Sequence, residues 1–468
     1  MILSTNFAVP ELLAGILFIS SVDKSKPLMW NTVESLTRKD LQELQLERFN
    51  ELLQRVWQNV PFYIDSLRHL HPERNKLKTL EQVSELPFTT KMDLQEHYPN
   101  KLFAVSPSLI RRYHASSGTR GKPTLVAYTQ KDLDIWAELG ARSLYAAGAR
   151  PGDLVHNAYM YGPFTGGLGL HAAIERLGAT CVPASGGKTQ QQITLLKDLQ
   201  AKVLCCTPSY ALQIASTLAE MNLSKDKLAL RIGIFGAEPW SEAMRARIES
   251  ELGVKARDIY GLSEIMGPGV SIECEHANAG LHIWEDHFYA EIIDPATLTP
   301  LADGEEGELV ISTLTKEALP LIRYRTGDIS KLTREKCACG RTMARMDRVR
   351  ARLDDMLIVR GVNVYPTEIE NILLRMWELA PHYQLILKRE RSLDQLAVQV
   401  ELHESFNPAS TDSKTDGSSK HHLSQRIQHQ LKESLGLTVS VELLPSRSIA
   451  RSEGKASRLL DLREAKEE

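Results

Sequence analysis

His114-Ala115-Ser116-Ser117-Gly118-Thr119-Arg120-Gly121-Lys122-Pro123 places serines, a threonine, two glycines and a lysine between two strand-like runs. Glycines let the backbone turn tightly and bring its N–H groups up to an anion. The hydroxyls add donors, and Lys122 adds a full positive charge. Such a loop suits a nucleotide polyphosphate better than it suits an ordinary polar turn. It is not the phosphate loop of the common NTPases, which needs a glycine, four residues and then Gly-Lys-Ser/Thr. Gly118 and Gly121 stand too close together, and Pro123 has no N–H to offer.

Working outward, the chain has 468 residues, more than one hydrophobic core supports, so two or three domains are expected. With 43% apolar and 25% charged residues and a net charge of −3, the composition is that of an ordinary globular protein. It implies no global attraction to nucleic acid or to an anionic membrane, so any anion must be met by local groups. Phe7 to Ile19 is mostly apolar but is interrupted by Pro10 and Glu11 and is too short to span a bilayer. No positive run precedes it and no small-residue cleavage site follows, so residues 1–29 read as a helical extension packed on the body of a cytoplasmic protein. Six cysteines in a chain of this size do not make a disulfide framework. Cys181, Cys205 and Cys206 lie in apolar runs as small hydrophobes.

From about residue 100 to 260 the pattern alternates. Leu154–Tyr159, Thr180–Pro183, Lys202–Cys206 and Leu230–Phe235 read as strands, with helices over Leu168–Leu177 and Ser209–Met221 and a polar helix ending at Leu252. This βαβ rhythm predicts an α/β fold with a mostly parallel, helix-covered sheet. Between about 280 and 350 short strands and turn signals such as Asp303-Gly304 predict a β-rich subdomain. From Asp354 onward a small α+β domain is expected, with a helix opened by Pro366, where proline is tolerated, and a flexible polar loop over 405–422. The expected division is an N-terminal extension (1–29), a large domain (30–353) and a small mobile C-terminal domain (354–468).

Four further motifs bear chemistry. Tyr260-Gly261-Leu262-Ser263-Glu264 joins a π-face on which a purine can stack to a hard oxygen ligand for a magnesium ion. Tyr324-Arg325-Thr326-Gly327-Asp328 sets a carboxylate just after a glycine turn, where it can accept from ribose hydroxyls. Arg352-Leu353-Asp354-Asp355 falls where the large body ends, and Gly454-Lys455 sits in a small-residue, polar tail. Taken singly, each also reads as a solvated turn. Their order, together with "FTGGLG", "FGAEPWSE", "WEDHFYAEIID" and "GEEGELVISTLTKEALPLIRYRTGD", resembles the adenylate-forming superfamily, and within it the phenylacetate–CoA ligases, from about Trp30 to Arg463.

That resemblance implies the following roles. Ser116, Ser117, Gly118, Thr119, Gly121 and Lys122 grip the ATP phosphates. Gly236, Ala237, Glu238 and Pro239 line the adenine and acyl pockets, Tyr260 stacks near adenine, and Glu264 holds Mg²⁺. Asp328 binds the ribose, Arg352 touches phosphate and Asp354 is the hinge. Lys455 bridges the carboxylate and the α-phosphate, and Arg360 to Asn363, Gly361 included, swings in for coenzyme A. Tyr159, Tyr161 and Phe164 are expected to wall a flat aryl pocket, against the alternative that they are core. The implied reaction turns ATP, an aryl acid and coenzyme A into acyl-CoA, AMP and pyrophosphate. Loading of a carrier-protein thiol, an ATP-binding phosphotransferase and a non-catalytic scaffold are the competing classes. No nucleic-acid or membrane partner is expected, and relatives suggest a monomer or homodimer.

Cys337-Ala338-Cys339 forms a metal-type knuckle, and Cys274 lies upstream near two histidines. Three cysteines and one histidine make a closed, structural zinc site, against the alternative of unligated thiols. The resemblance favours His282 as the fourth ligand; His276 is its rival.

Overall fold

The computed structural model describes residues 29–68, 76–116, 123–276, 278–360, 362–390, 393–406, 418–451 and 458–463. The expected extension over residues 1–28, most of the 405–422 loop, the glycine-lysine part of the phosphate loop and Lys455 therefore lie outside the described residues. Among the described residues no helix is long and apolar enough to cross a membrane.

The chain enters through helices α1 (Arg38–Asn59), α2 (Pro61–Leu67) and α3 (Lys91–Glu96). The Leu41–Trp57 periodicity extends one turn upstream because Thr37 caps the helix on the N–H of Asp40. Buried ion pairs tie this segment to the body. Glu285 accepts from both terminal nitrogens of Arg38 at 2.7 and 2.8 Å, and Glu34 accepts from Arg341 at 2.6 Å. Strands β1 (Ile110–Ala115) and β2 (Leu125–Thr129) form a hairpin whose connection is the phosphate loop, and α4 (Gln130–Ala146) follows under a Thr129/Asp132 capping box.

The main sheet then accumulates from β3 (Leu154–Asn157), β4 (Thr180–Pro183), β5 (Val203–Cys206), β6 (Ile232–Gly236) and β7 (Lys255–Tyr260), all parallel. They alternate with α5 (Thr165–Leu177), α6 (Thr189–Asp198), α7 (Pro208–Glu220) and α8 (Glu242–Leu252). β5 and β6 are buried at every position, as helix cover on both faces requires. α5 begins three residues earlier than its apolar period predicts. Gly166 and Gly167 lie in its first turn, and a Cβ on Gly167 would stand 2.5 Å from the Met160 carbonyl oxygen. Close packing there overrides the low helix propensity of glycine.

The stretch expected to form one β-rich subdomain divides between two sheets. β8 (Ser271–Glu273) and β9 (Leu281–Ile283), with the later β13 (Leu332–Thr333) and β14 (Arg345–Met346), extend the main sheet antiparallel to nine strands in the order β13-β14-β9-β8-β7-β6-β5-β3-β4. β10 (Phe288–Ile293), β11 (Gly307–Thr313), β12 (Tyr324–Ser330) and β15 (Ala351–Arg352) form a separate antiparallel sheet. The pairing of Arg345 with His282 carries the later segment back onto the edge of the main sheet.

After Asp355 the hairpin β16 (Leu357–Val359) and β17 (Val362–Val364) leads to α9 (Pro366–Leu373), opened by Pro366 as read from sequence. β18 (Leu379–Glu390), β19 (Leu393–Leu402), β20 (Ser440–Leu444) and β21 (Leu459–Asp461) make a four-stranded sheet crossed by α10 (Ser418–Leu435). This unit has its own apolar core, from Leu357 to Val439, while Leu374 packs into the α7–α8 core of the large body.

Candidate active site

Four strands contribute to one cleft of about 550 Å³, open mouth included. Gly236, Ala237, Glu238, Pro239 and Trp240 leave β6, Asp258 to Leu262 leave β7, and Asp328 and Arg352 come from β12 and β15. The carboxyl ends of parallel strands are where open α/β sheets take ligands. Here they abut the point at which β7 turns antiparallel into β8. Ala237 sits at φ 72°, a left-handed backbone that L-residues rarely adopt and that functional sites retain.

Asp328 is the best-fixed of the sequence-predicted site residues. It is 1% exposed. The Tyr260 hydroxyl donates to one carboxylate oxygen at 2.7 Å, and Arg352 pairs with the other at 3.0 Å. The β12–β15 register sets Asp328 directly opposite Arg352, and the Asp328 N–H donates to Thr326 Oγ1. Burial, and then the Asp328 charge, hold the Tyr260 hydroxyl protonated well above its usual range. The phenol is therefore a permanent donor to the carboxylate.

Glu264 is buried in the turn that follows β7. This turn closes on itself: a Cβ on Gly261 would lie 1.8 Å from the Gly267 carbonyl oxygen. Its carbonyls are satisfied from below. Tyr128 donates to Met266 O at 2.9 Å, and Lys316 donates to Ile265 O at 2.9 Å and Glu264 O at 3.2 Å. The Lys316 ammonium also lies 4.6 Å over the Tyr128 ring, and burial pulls its pKa down to about 8. Neither lysine nor tyrosine carried a local sequence signal that would have placed it under this turn.

The phosphate loop is described only at its base. Ser116 accepts from the Thr124 N–H through its hydroxyl and donates its own N–H to Thr124 O. His114 Nδ1 donates to Pro163 O and Phe164 O at 3.1 and 3.0 Å, joining this hairpin to the glycine-rich connection. Ser117, Gly118, Thr119, Gly121, Lys122, Gly361 and Lys455 lie outside the described residues, as does the side chain of the expected hinge, Asp354.

Of the aryl-pocket residues, Tyr159 is buried, and its hydroxyl has no hydrogen-bond partner among the described residues. Burial, with Cys206, Cys205, Asp258 and Glu238 nearby, raises its pKa. Tyr161 is half-buried and accepts from Asn157 Nδ2 at 2.9 Å, with His171 Nδ1 at 3.1 Å. Phe164 caps α5. None of the three is among the residues that line the cleft.

Sequence reading passed over Asp258 and Arg348. Asp258 lines the cleft, and burial together with the Glu273 carboxylate pushes its pKa up to about 8. Arg348 donates to Asp258 Oδ2 at 3.3 Å and lies 4.6 Å over the Trp240 ring. Trp240 lies within the quoted Glu-Pro-Trp-Ser-Glu run but was given no role there; Arg348 sits in an unmarked basic stretch.

At the far edge of the same sheet Cys274, His282, Cys337 and Cys339 are all buried, with their donor atoms within 4.8 Å of one another. Cys274 and Cys337 sulfurs are 3.9 Å apart, and Cys339 Sγ is 3.4 Å from His282 Nε2. A tetrahedron with metal–sulfur bonds of about 2.3 Å has edges of roughly 3.8 Å, so the donor set fits zinc. Hydrogen bonding between Cys274 and Cys339 raises the thiol pKa of the first and lowers that of the second. His276 is half exposed beside Glu275 and does not join the group.

Comparisons with known proteins agree with this architecture. The family model for AMP-binding enzymes matches residues 70–315, and that for the AMP-binding enzyme C-terminal domain matches residues 361–463. Phenylacetate-coenzyme A ligase of Thermus thermophilus is 49% identical over 438 residues, 92% of this chain and 98% of that one. The Escherichia coli protein of the same name is 48% identical over 433 residues, 92% and 97% of the two chains. Among solved structures, 2-hydroxyisobutyryl-CoA ligase in its postadenylation state with 2-HIB-AMP has a TM-score of 0.87 at 28% identity, covering 96% of this chain and 94% of that one. The same enzyme in its thioesterification state with CoA, at 29% identity and 92% coverage of both chains, has a TM-score of 0.67.

Proposed function

The chain belongs to the phenylacetate–CoA ligase family of AMP-binding enzymes, and on that premise we propose that the acid it activates is a small aryl acid of the phenylacetate type. It is an ATP-dependent acid–thiol ligase that works through an acyl-adenylate and passes the acyl group to coenzyme A. The observation that carries the reading is the Tyr260–Asp328–Arg352 triangle inside the cleft that Gly236 to Pro239 wall.

A carboxylate is a poor acylating agent because its leaving group would be oxide. Attack of its oxygen on the α-phosphorus of ATP forms an O–P bond and breaks the α–β bridge, releasing pyrophosphate. A thiolate then attacks the acyl carbon and AMP departs. Asp328, held by Tyr260 and Arg352, accepts from the ribose hydroxyls, since an ionised carboxylate takes more than two bonds. Glu238 and its neighbours bound the adenine, and Tyr260 flanks it. Lys122 and Lys455 supply positive charge where two anions must approach, which is electrostatic stabilisation of the transition state. Glu264 would hold Mg²⁺, whose charge adds to theirs. Tyr159, Tyr161 and Phe164 form the inner wall of the acyl site.

Cys274, His282, Cys337 and Cys339 would hold a structural zinc ion that cross-links β8 and β9 to the 337–339 knuckle. The unit after Asp354 is the mobile one, and a cytoplasmic monomer or homodimer completes the reading.

The test is acid-dependent release of pyrophosphate by the purified protein across a panel of aryl acids, with and without coenzyme A. Pyrophosphate, AMP and an aryl-CoA thioester are expected. ADP as product, or transfer only to a carrier-protein thiol, would overturn it.

A further inference from the structure

The face that the C-terminal unit presents to the cleft holds a side-chain network that no sequence motif announced. Arg458 immediately precedes β21, three residues beyond Lys455 in sequence, and is largely buried. Its guanidinium pairs with Glu370 at 2.5 Å, donates to Ser209 Oγ at 3.1 Å and lies 4.3 Å over the Tyr383 ring. Glu370, 3% exposed at its side chain, also accepts from the Tyr383 hydroxyl at 3.0 Å and from the Ser241 N–H at 3.2 Å. Arg458, Glu370 and Tyr383 belong to the C-terminal unit, whereas Ser209 lies in the first turn of α7 and Ser241 caps α8, both in the large body. The Ser209 N–H in turn donates to Glu238 at 2.7 Å, a residue that lines the cleft. The path from Arg458 to the nucleotide wall thus runs through one serine.

We infer that Arg458 is a positioning residue for the adenylation half-reaction: with Glu370 it clamps the C-terminal unit onto the Ser209–Glu238 wall and so fixes the start of β21, three residues after Lys455 in sequence. The inference rests on the ligase reading above. A buried guanidinium–carboxylate pair is costly unless its remaining hydrogen-bonding capacity is met. Here the large body meets it, through Ser209 for the arginine and the Ser241 N–H for the glutamate. Those two contacts exist only when the units are docked as in this structure, the arrangement that superposes on the postadenylation form rather than on the thioesterification form. Rotation of the C-terminal unit breaks both and returns the pair to water. The clamp therefore favours one half-reaction over the other, a coupling that in proteins amounts to roughly 5- to 150-fold.

The test separates the half-reactions in the full-length enzyme. In Arg458→Gln, ATP-dependent pyrophosphate release falls about 10-fold or more, while CoA-thioester formation from synthetic aryl-adenylate stays within about twofold of the parent. Arg458→Lys, which keeps the charge but loses the planar fork, recovers part of the loss. Ser209→Ala removes the partner on the large body and gives the same split at about threefold, near the net worth of one hydrogen bond. It decides the matter if Arg458→Gln does not fold. Equal loss in both half-reactions, or no loss in either, overturns the clamp. Small-angle X-ray scattering without substrates is read in parallel: the parent fits the docked arrangement and Arg458→Gln departs from it. Identical profiles overturn the clamp whatever the activity. A parent that releases no pyrophosphate with any aryl acid overturns the proposed substrate class instead, and scattering still decides the clamp.

Discussion

The cleft and the cysteine–histidine cluster are built on neighbouring strands of one sheet and have opposite designs. β7 ends at Tyr260, which pairs with Ser271 at the start of β8; Cys274 follows the other end of β8. That offset of three residues along a strand amounts to roughly 10 Å. The cleft is open, and its hard oxygen groups are already engaged by protein donors, so that each is oriented before a ligand arrives. The cluster is closed and buried, and its soft donors face one another. Oriented groups around a space perform chemistry; four converging donors with no opening hold structure.

Substitutions on the two sides should sort accordingly. The largest effect is expected at Lys455. Lys455→Ala should slow adenylation roughly 10²- to 10³-fold, the scale of losing a transition-state donor, and should spare thioester formation from preformed adenylate. Stopped-flow assays of the separate half-reactions check this, and equal losses would reject the role. Asp328→Asn should cost about 100-fold in kcat/KM for ATP, because it removes charge-assisted bonds to ribose and strands Arg352; steady-state kinetics at varied ATP measures it. On the other side of the comparison, Cys339→Ser should leave kcat within about twofold yet lower the melting temperature by about 5 °C, with bound zinc falling from one per chain toward none. A Cys339→Ser enzyme that melts normally and loses activity would erase the distinction between the two regions.

Smaller effects refine the cleft. Asp258 has a folded pKa of about 8, far above that of an unfolded aspartate, so the native state binds the extra proton between about pH 4 and pH 8. Its contribution to stability therefore falls as pH rises through that window. Ionisation near pH 8 also places a negative charge in the cleft, where the proposed nucleotide carries its own. KM for ATP should rise about threefold from pH 7 to pH 9, and Asp258→Asn should flatten that rise. Least of all, Tyr260→Phe removes one hydrogen bond to Asp328 and should raise KM for ATP about twofold with kcat nearly unchanged.

Much of this was legible in the chain itself because the motifs are local. A glycine turn needs its own glycines, and a strand end delivers whatever residues stand there. Tyr260, Asp328 and Arg352 were read from such motifs and line the cleft, whereas Glu264, read the same way, lies in the turn after β7 and is not among the lining residues. Helix α5 shows the limit. Its first turn is glycine-rich, and only the close approach of the Met160 carbonyl makes it helical. The β-rich stretch shows another limit: strand pairing, not strand content, distributed it between two sheets.

The order of motifs, read along the chain, determined the fold class and the family, because each motif is a short segment whose backbone conformation depends on its own residues. The tertiary structure set His282, which the family resemblance had favoured over His276, against the cysteines; it alone decided that Tyr260 and Arg352 hold Asp328 between them, and that Lys316 and Arg458 face the turn and the wall they support. Several of these contacts join residues far apart in the chain, up to about 250 positions for Arg458 and Ser209. Periodicity and spacing carry no information about such pairs, because what brings them together is the burial of whole faces and the register of strands in a nine-stranded sheet.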